Sequence, residues 1–165
     1  MIAVIADTLD SSIVKILFVC NANIVRSFMA ERILRCRLDR LGIRDVEVSS
    51  AGLLDMKGAP ADETAREILR ENGIDDECHR SRPLNEALVG EADLIVPMEK
   101  EQLRKIGDQY PGSAVKMRAL KSFLPDYRPE NGNGDVRDPY RRSIFDYRLC
   151  FAELSLAMEG LRRCI

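Results

Sequence analysis

Apolar positions along this chain fall into two alternating patterns, short β-rich runs and longer stretches with helical spacing. Their order predicts the architecture. Residues 13–19, Ile-Val-Lys-Ile-Leu-Phe-Val, are almost continuously apolar, as expected of a strand buried on both faces. From Ser27 to Leu41 the apolar residues Met29, Ile33, Leu34, Leu38 and Leu41 recur at helical spacing, and Gly42 closes the segment. Residues 46–49 predict a second strand, ending at Ser50-Ala51-Gly52. Residues 60–72 predict a helix with Pro60 near its start and Gly73 just past its end. A short helix over 83–89, a third strand at Leu94-Ile95-Val96 and a helix over 99–106 come next, and residues 115–120 predict a fourth strand. The stretch 125–139 is rich in Pro, Gly, Asn and Asp, hence loop. A long closing helix is predicted from 142 to about 163, with Ile144, Phe145, Leu149, Ala152, Leu156 and Leu161 mostly on one side.

Strands separated by helices imply an α/β fold: a parallel sheet covered on both faces and joined by right-handed crossovers. The chain of 165 residues has the size of one domain, with no dividing linker and no internal repeat. The ligand site of such a sheet lies beyond the carboxyl ends of its strands. The first strand runs directly into Cys20, which is therefore the place to look for chemistry.

Composition narrows the possibilities. A formal net charge of -2, with Lys and Arg scattered, makes nucleic acid an unexpected partner. Apolar runs are too short to span a bilayer, and residues 1–10 lack a basic start and carry Asp7 and Asp10, against a signal peptide. Residues 1–13 read as an N-terminal extension, an extra strand or a loose arm, ahead of a domain over 14–165. The five cysteines, at 20, 36, 78, 150 and 164, contain no Cys-x-x-Cys pair, and His79 is the one histidine. Neither a disulfide framework nor a metal site is expected, and a reducing cytoplasm fits best.

The turn after the first strand is Cys20-Asn21-Ala22-Asn23-Ile24-Val25-Arg26-Ser27, a cysteine and an arginine with five residues between. That spacing is weakly informative alone; its position between a buried strand and a helix start makes it meaningful. A helix N-terminus presents unpaired N–H groups and partial positive charge to an anion and favours a thiolate there. The amides of residues 21–26 can curl round a tetrahedral oxyanion, and Arg26 can return to it as a planar fork. A nucleophile, an anion cradle and a clamp coincide. The bland alternative is a small buried thiol and a surface arginine.

This stretch resembles the phosphate-binding loop of the low-molecular-weight protein-tyrosine phosphatases. Further matches fall in that family's order: Ser49-Ser50-Ala51-Gly52, His79-Arg80-Ser81-Arg82-Pro83-Leu84, Ala92-Asp93-Leu94-Ile95-Val96-Pro97-Met98 and Asp138-Pro139-Tyr140. The resemblance covers about residues 14–165. It implies a single-domain, four-stranded parallel sheet with helices on both faces. It also implies hydrolysis of phosphotyrosine through a cysteinyl-phosphate, without cofactor or metal. Cys20 would be the nucleophile, Arg26 the clamp and Asp138 the general acid, with Asn21, Ala22, Asn23, Ile24, Val25 and Arg26 binding phosphate. Ser27 would stabilise the thiolate, and Asn23, Ser50 and His79 would hold the loop. Tyr140 and Met56 would wall the substrate slot. Arg141-Arg142-Ser143 resembles the bacterial branch that acts on autophosphorylated tyrosine kinases, which suggests such a kinase as partner.

This chain also departs from the family. Ala22 stands where glycine is usual, which predicts a slightly strained loop. Val25 replaces a second cysteine, which predicts less protection of Cys20 against peroxide. Phe28 replaces a proline, a change expected to be mild. Three other readings share the scaffold. Thioredoxin-linked arsenate reductases need two further cysteines near the third strand's exit, where this chain reads Val96-Pro97-Met98-Glu99-Lys100-Glu101. Protein-arginine phosphatases typically have threonine where Ile24 stands. A non-catalytic phosphate- or phosphoprotein-binding module would not need the intact Cys20, Arg26 and Asp138.

Overall fold

The computed structural model describes residues 13–76, 78–132 and 134–165, so most of the predicted N-terminal extension lies outside the described residues. Strand β1 (Val14–Cys20) is central, flanked in parallel by β2 (Val46–Gly52) and β3 (Leu94–Pro97), in the order β2-β1-β3. In register, Val14 faces Val46 and Cys20 faces Gly52 on one side, while Ile16 faces Leu94 and Val19 faces Pro97 on the other. Among the described residues five α-helices accompany the sheet: α1 (Arg26–Leu41), α2 (Glu63–Glu71), α3 (Glu86–Glu91), α4 (Lys100–Gln109) and α5 (Ile144–Arg162).

The near-continuous apolarity of β1 has the predicted meaning. Ile16, Phe18 and Cys20 join one core with Phe28, Met29 and Ile33 of α1, Ile68 and Leu69 of α2, and Leu154, Met158 and Leu161 of α5. Leu17 and Val19 point the other way, into a smaller core with Val89 of α3, Ile95 of β3 and Ile106 of α4. Both faces of the sheet are covered. No helix among the described residues is long and apolar enough to cross a membrane.

The helix starts follow their caps. Asp62 accepts from the Ala65 N–H at 3.1 Å, so α2 begins after it, and Pro60 instead pairs with Arg80 in an isolated antiparallel bridge. Asn85 accepts from the Leu88 N–H at 2.9 Å and starts α3. Ser143 and Asp146 form a reciprocal capping box at the head of α5.

Two expectations are corrected. Among the described residues the sheet has three strands, not four. Residues 111–116 form a 3-10 turn led by Pro111, and Val115 is 95% exposed. A single bridge then joins Met117 to Ile95, with the Arg118 N–H donating to the Ile95 carbonyl at 3.0 Å, before another 3-10 turn at Leu120–Phe123. A four-residue β3 offers too short an edge for a longer pairing. The face of α5 is also different. Tyr147, Cys150, Leu154, Ala157, Met158 and Leu161 are buried, whereas Ile144, Phe145, Leu149 and Leu156 are exposed. The helix carries apolar residues all round, so periodicity alone did not choose its buried side.

Candidate active site

Cys20 ends β1 and Arg26 opens α1, so the strand-to-helix turn brings the sequence-predicted pair to one point. The head of α1 has no side-chain cap, because Val25 offers none, which leaves its amides for an anion. A cavity of about 40 Å³ is lined by Cys20, Ala22, Ile24, Val25, Arg26, Asp138 and Tyr140. Gly52, opposite Cys20, lets β2 press against the loop: a Cβ there would stand 2.8 Å from the Asn21 carbonyl oxygen.

Hydrogen-bond accounting fixes how the thiol is addressed. Asn23 is wholly buried, and its Nδ2 donates to Ser27 Oγ and to Ser50 Oγ, both at 2.9 Å. Its Oδ1 accepts from the Arg82 N–H at 3.1 Å. With Asn23 donating to it, the Ser27 hydroxyl has its own proton free for Cys20 Sγ, 3.0 Å away. Sγ also accepts from the Asn23 N–H at 3.2 Å. Ser50 donates onward to Glu31, whose carboxylate pairs with Arg35 at 3.0 Å. Two donors therefore converge on the sulfur, and both stabilise its anionic form.

Asn23 has φ of 57°, in the left-handed region that asparagine tolerates better than most residues. The strain expected at Ala22 does not occur, since the positive φ falls on Asn23 instead. His79 secures that conformation by donating from Nε2 to the Asn23 carbonyl at 2.7 Å. Burial holds His79 below the usual imidazole range, outweighing the opposing effect of that carbonyl. Its ring packs on Phe28 with centroids 4.6 Å apart, so Phe28 supports the loop rather than merely replacing a helix-start residue.

Arg26 is almost fully buried, with a relative exposure of 1%. Its NH1 donates to the Val136 carbonyl at 2.8 Å and to Glu99, and its NH2 donates to Asp138 Oδ2 at 3.2 Å. Burial pulls its proton affinity down, but Cys20, Asp138 and Glu99 outweigh that and raise it. The guanidinium stays charged, with its fork held toward the cavity.

Cys20, Ala22, Ile24, Val25, Arg26, Asp138 and Tyr140 thus meet, with Asn23, Ser27, Ser50 and His79 behind them. The Asn21 side chain is engaged elsewhere, its Oδ1 accepting from Gln102 Nε2 at 3.2 Å. Met56 is not among the residues lining the cavity; Ile24 and Ala22 line it together with Tyr140. The 53–58 segment leaves the loop early, where the Leu54 N–H donates to the Asn21 carbonyl at 2.8 Å, and Lys57 and Gly58 then turn it with positive φ. Sequence reasoning missed Glu31, Arg82 and Glu99. Glu31 lies four residues after Ser27 on one helix face, a readable signal; the other two contacts are long-range. Cys150 is buried among the charges of this site, but burial pushes its thiol up to about 12, so it offers no competing thiolate. Two wider cavities, of about 510 and 620 Å³, lack the Cys20–Arg26 pair, so chemistry rather than volume places the site.

Comparison with known proteins agrees with this geometry. The family of low molecular weight phosphotyrosine protein phosphatases matches residues 15–165. Low molecular weight protein-tyrosine phosphatase A of Mycobacterium tuberculosis is 36% identical over 146 residues, 87% of this chain and 86% of that protein. The protein-arginine-phosphatase of Geobacillus stearothermophilus is 31% identical over 147 residues, covering 89% and 93% respectively. Among solved structures, a low molecular weight protein tyrosine phosphatase from T. tengcongensis superposes with a TM-score of 0.83 at 36% identity, over 92% of this chain and 99% of that one. The chain belongs to the low molecular weight phosphotyrosine protein phosphatase family and is a hydrolase of that kind.

Proposed function

We propose that this protein removes phosphate from phosphotyrosine in proteins through a cysteinyl-phosphate intermediate. The observation that carries the reading is the convergence of the Ser27 hydroxyl and the Asn23 amide on Cys20 Sγ, in a cavity that also holds Arg26 and Asp138. The phosphate oxygens displace Asp138 from the guanidinium and take up the free amides at the head of α1. The Cys20 thiolate attacks phosphorus, the S–P bond forms, and the P–O bond to the phenol breaks. Asp138, entering protonated, gives its proton to the departing phenolate, help worth about 10²–10⁴-fold. Water then attacks the cysteinyl-phosphate as the Asp138 carboxylate takes its proton. The thiolate leaves, stabilised by Ser27, and inorganic phosphate is released. Arg26 and the loop amides hold the equatorial oxygens throughout.

Tyr140 and Ile24 give the mouth a flat aromatic and an apolar wall, which suits a phenyl ring. Arg141 lies over the Tyr140 ring at 5.2 Å, and with Arg142 it places positive charge where an acidic substrate segment would pass. An autophosphorylated bacterial tyrosine kinase is the partner this suggests, with the cytoplasm as the compartment. Arginine phosphatase is a second reading, favoured by the Geobacillus relative; the bulk of Ile24 in the cavity disfavours it.

A panel of peptides phosphorylated on tyrosine, serine or arginine, assayed with the wild type and Cys20→Ser, tests the proposal. Phosphotyrosine turnover that vanishes in Cys20→Ser, with phosphate or vanadate binding retained, is expected. Faster turnover of phosphoarginine than of phosphotyrosine would overturn the substrate assignment.

A further inference from the structure

Asp138 is half exposed and lies in an irregular segment ahead of α5. Its tie to Arg26, at 3.2 Å, is the one that substrate breaks, because phosphate takes the place of its carboxylate on the guanidinium. Other contacts must therefore hold the acid in place while the phenol leaves.

Those contacts run to the head of α4. The Asp135 carboxylate accepts from the Lys100 N–H at 2.7 Å. Lys100 is the first residue of α4, so this N–H has no partner within the helix. A carboxylate there also meets the positive end of the helix dipole. The next residue of the segment, Val136, is wholly buried and bonded through both backbone groups. Its N–H donates to the Met98 carbonyl and its carbonyl accepts from Arg26 NH1, each at 2.8 Å. The Lys100 side chain crosses the same strip, since a Cβ on Gly134 would stand 2.4 Å from its Cε.

The head of α4 also holds the rest of the site. Glu99, its N-cap, pairs with Arg26. Gln102 accepts from the Met98 and Glu99 N–H groups at 3.0 and 3.2 Å and donates to Asn21 of the phosphate loop. Clamp, loop and acid segment are thus fastened to one helix end. Asp135 does not line the cavity and so does not meet the substrate itself.

We propose that Asp135 is a positioning residue for Asp138: by capping α4 from outside the helix, its carboxylate fixes the acid segment over Cys20 once phosphate occupies Arg26. The proposal rests on reading Asp138 as the general acid. A carboxylate that only capped α4 would add stability and leave the chemistry of the leaving group untouched.

The test is Asp135→Ala and Asp135→Asn, with Asp135→Ala made also in Asp138→Ala, assayed on aryl phosphates of graded leaving-group acidity. For poor leaving groups Asp135→Ala should lower kcat about fivefold, the worth of one hydrogen bond. The best leaving group and the inhibition constant for vanadate should barely change. Asp135→Asn keeps an acceptor oxygen and should recover most of the loss. In the Asp138→Ala background Asp135→Ala should add nothing, because its effect passes through Asp138. A loss equal across leaving groups, the same factor in both backgrounds, or an Asp135→Asn no better than Asp135→Ala would overturn the proposal. If Asp138→Ala itself shows no leaving-group dependence, the general-acid assignment falls and takes this proposal with it. If only Asp135→Ala is flat, the positioning role alone falls.

Discussion

Asn23→Ala is the sharpest perturbation of the loop, because one side chain carries three hydrogen bonds, two of them buried, and sits at φ of 57°. Truncation leaves the Ser27 and Ser50 hydroxyls and the Arg82 N–H each short of a partner. At about 1 kcal/mol apiece, that amounts to about 3 kcal/mol. Alanine in the left-handed region adds about 1 kcal/mol more. A total near 4 kcal/mol is smaller than the ~5–15 kcal/mol that holds most domains together, so the variant should fold but be strongly destabilised. Urea unfolding followed by circular dichroism reads this directly. With a slope near 2 kcal/mol per molar, the midpoint should drop by roughly 2 M while the slope stays constant. Asn23→Gly removes the same bonds without the left-handed strain, so it should lose about 3 kcal/mol. If the glycine variant matches the wild type, the hydrogen bonds contribute little and the account of how the loop is held is wrong.

Three other outcomes follow from particular contacts. Burial depresses the folded-state proton affinity of His79 below its ordinary 6.5, so the unfolded chain takes the proton first. The stability it contributes is complete above about 6.5 and is lost as pH falls from there through the depressed folded value; urea titrations of wild type and His79→Gln should diverge in that window, and parallel curves would refute it. A Cβ on Gly160 would stand 1.9 Å from the Phe123 carbonyl oxygen, whereas one on Gly90 meets nothing within 4 Å. Thermal melts should therefore show Gly160→Ala losing about 3 kcal/mol or more, while Gly90→Ala gains about 0.5–1 kcal/mol in its helix. Val25 leaves Cys20 without a second thiol inside the loop, so prolonged peroxide should inactivate the enzyme beyond rescue, and full recovery with dithiothreitol would contradict this.

The sequence disclosed most where local physics decides the outcome. β1 is unbroken apolar surface and is buried on both faces, and the strand-to-helix turn at Cys20 follows from the change in hydrophobic period. Helix starts were legible to within a few residues; the errors at α2 and α3 arose because Pro60 and Pro83 drew attention from the true caps, Asp62 and Asn85. The fourth strand failed because strand formation needs a partner edge. Residues 115–120 look suitable in isolation, but β3 is four residues long and Pro111 starts a 3-10 turn. The buried side of α5 was missed because both of its sides are apolar, and only packing against α1 and α2 distinguishes them. At the site, Cys20, Arg26 and Asp138 came from the loop and the family resemblance. Glu99, Arg82 and Asp62 lie dozens of residues from Arg26, Asn23 and Ile24, which they touch, and no local pattern announces them. Met56 lies on the 53–58 segment and does not line the cavity that Tyr140 and Ile24 wall.

The central claim is that phosphate passes through sulfur at position 20. Rapid acid quench of the enzyme turning over an aryl phosphate, followed by peptide mass spectrometry, measures that occupancy. The account predicts one phosphoryl group on the peptide containing Cys20, formed within the first turnover, enriched in Asp138→Ala on a substrate with a good leaving group, and absent in a non-reacting control. Steady hydrolysis with residue 20 never phosphorylated would contradict it.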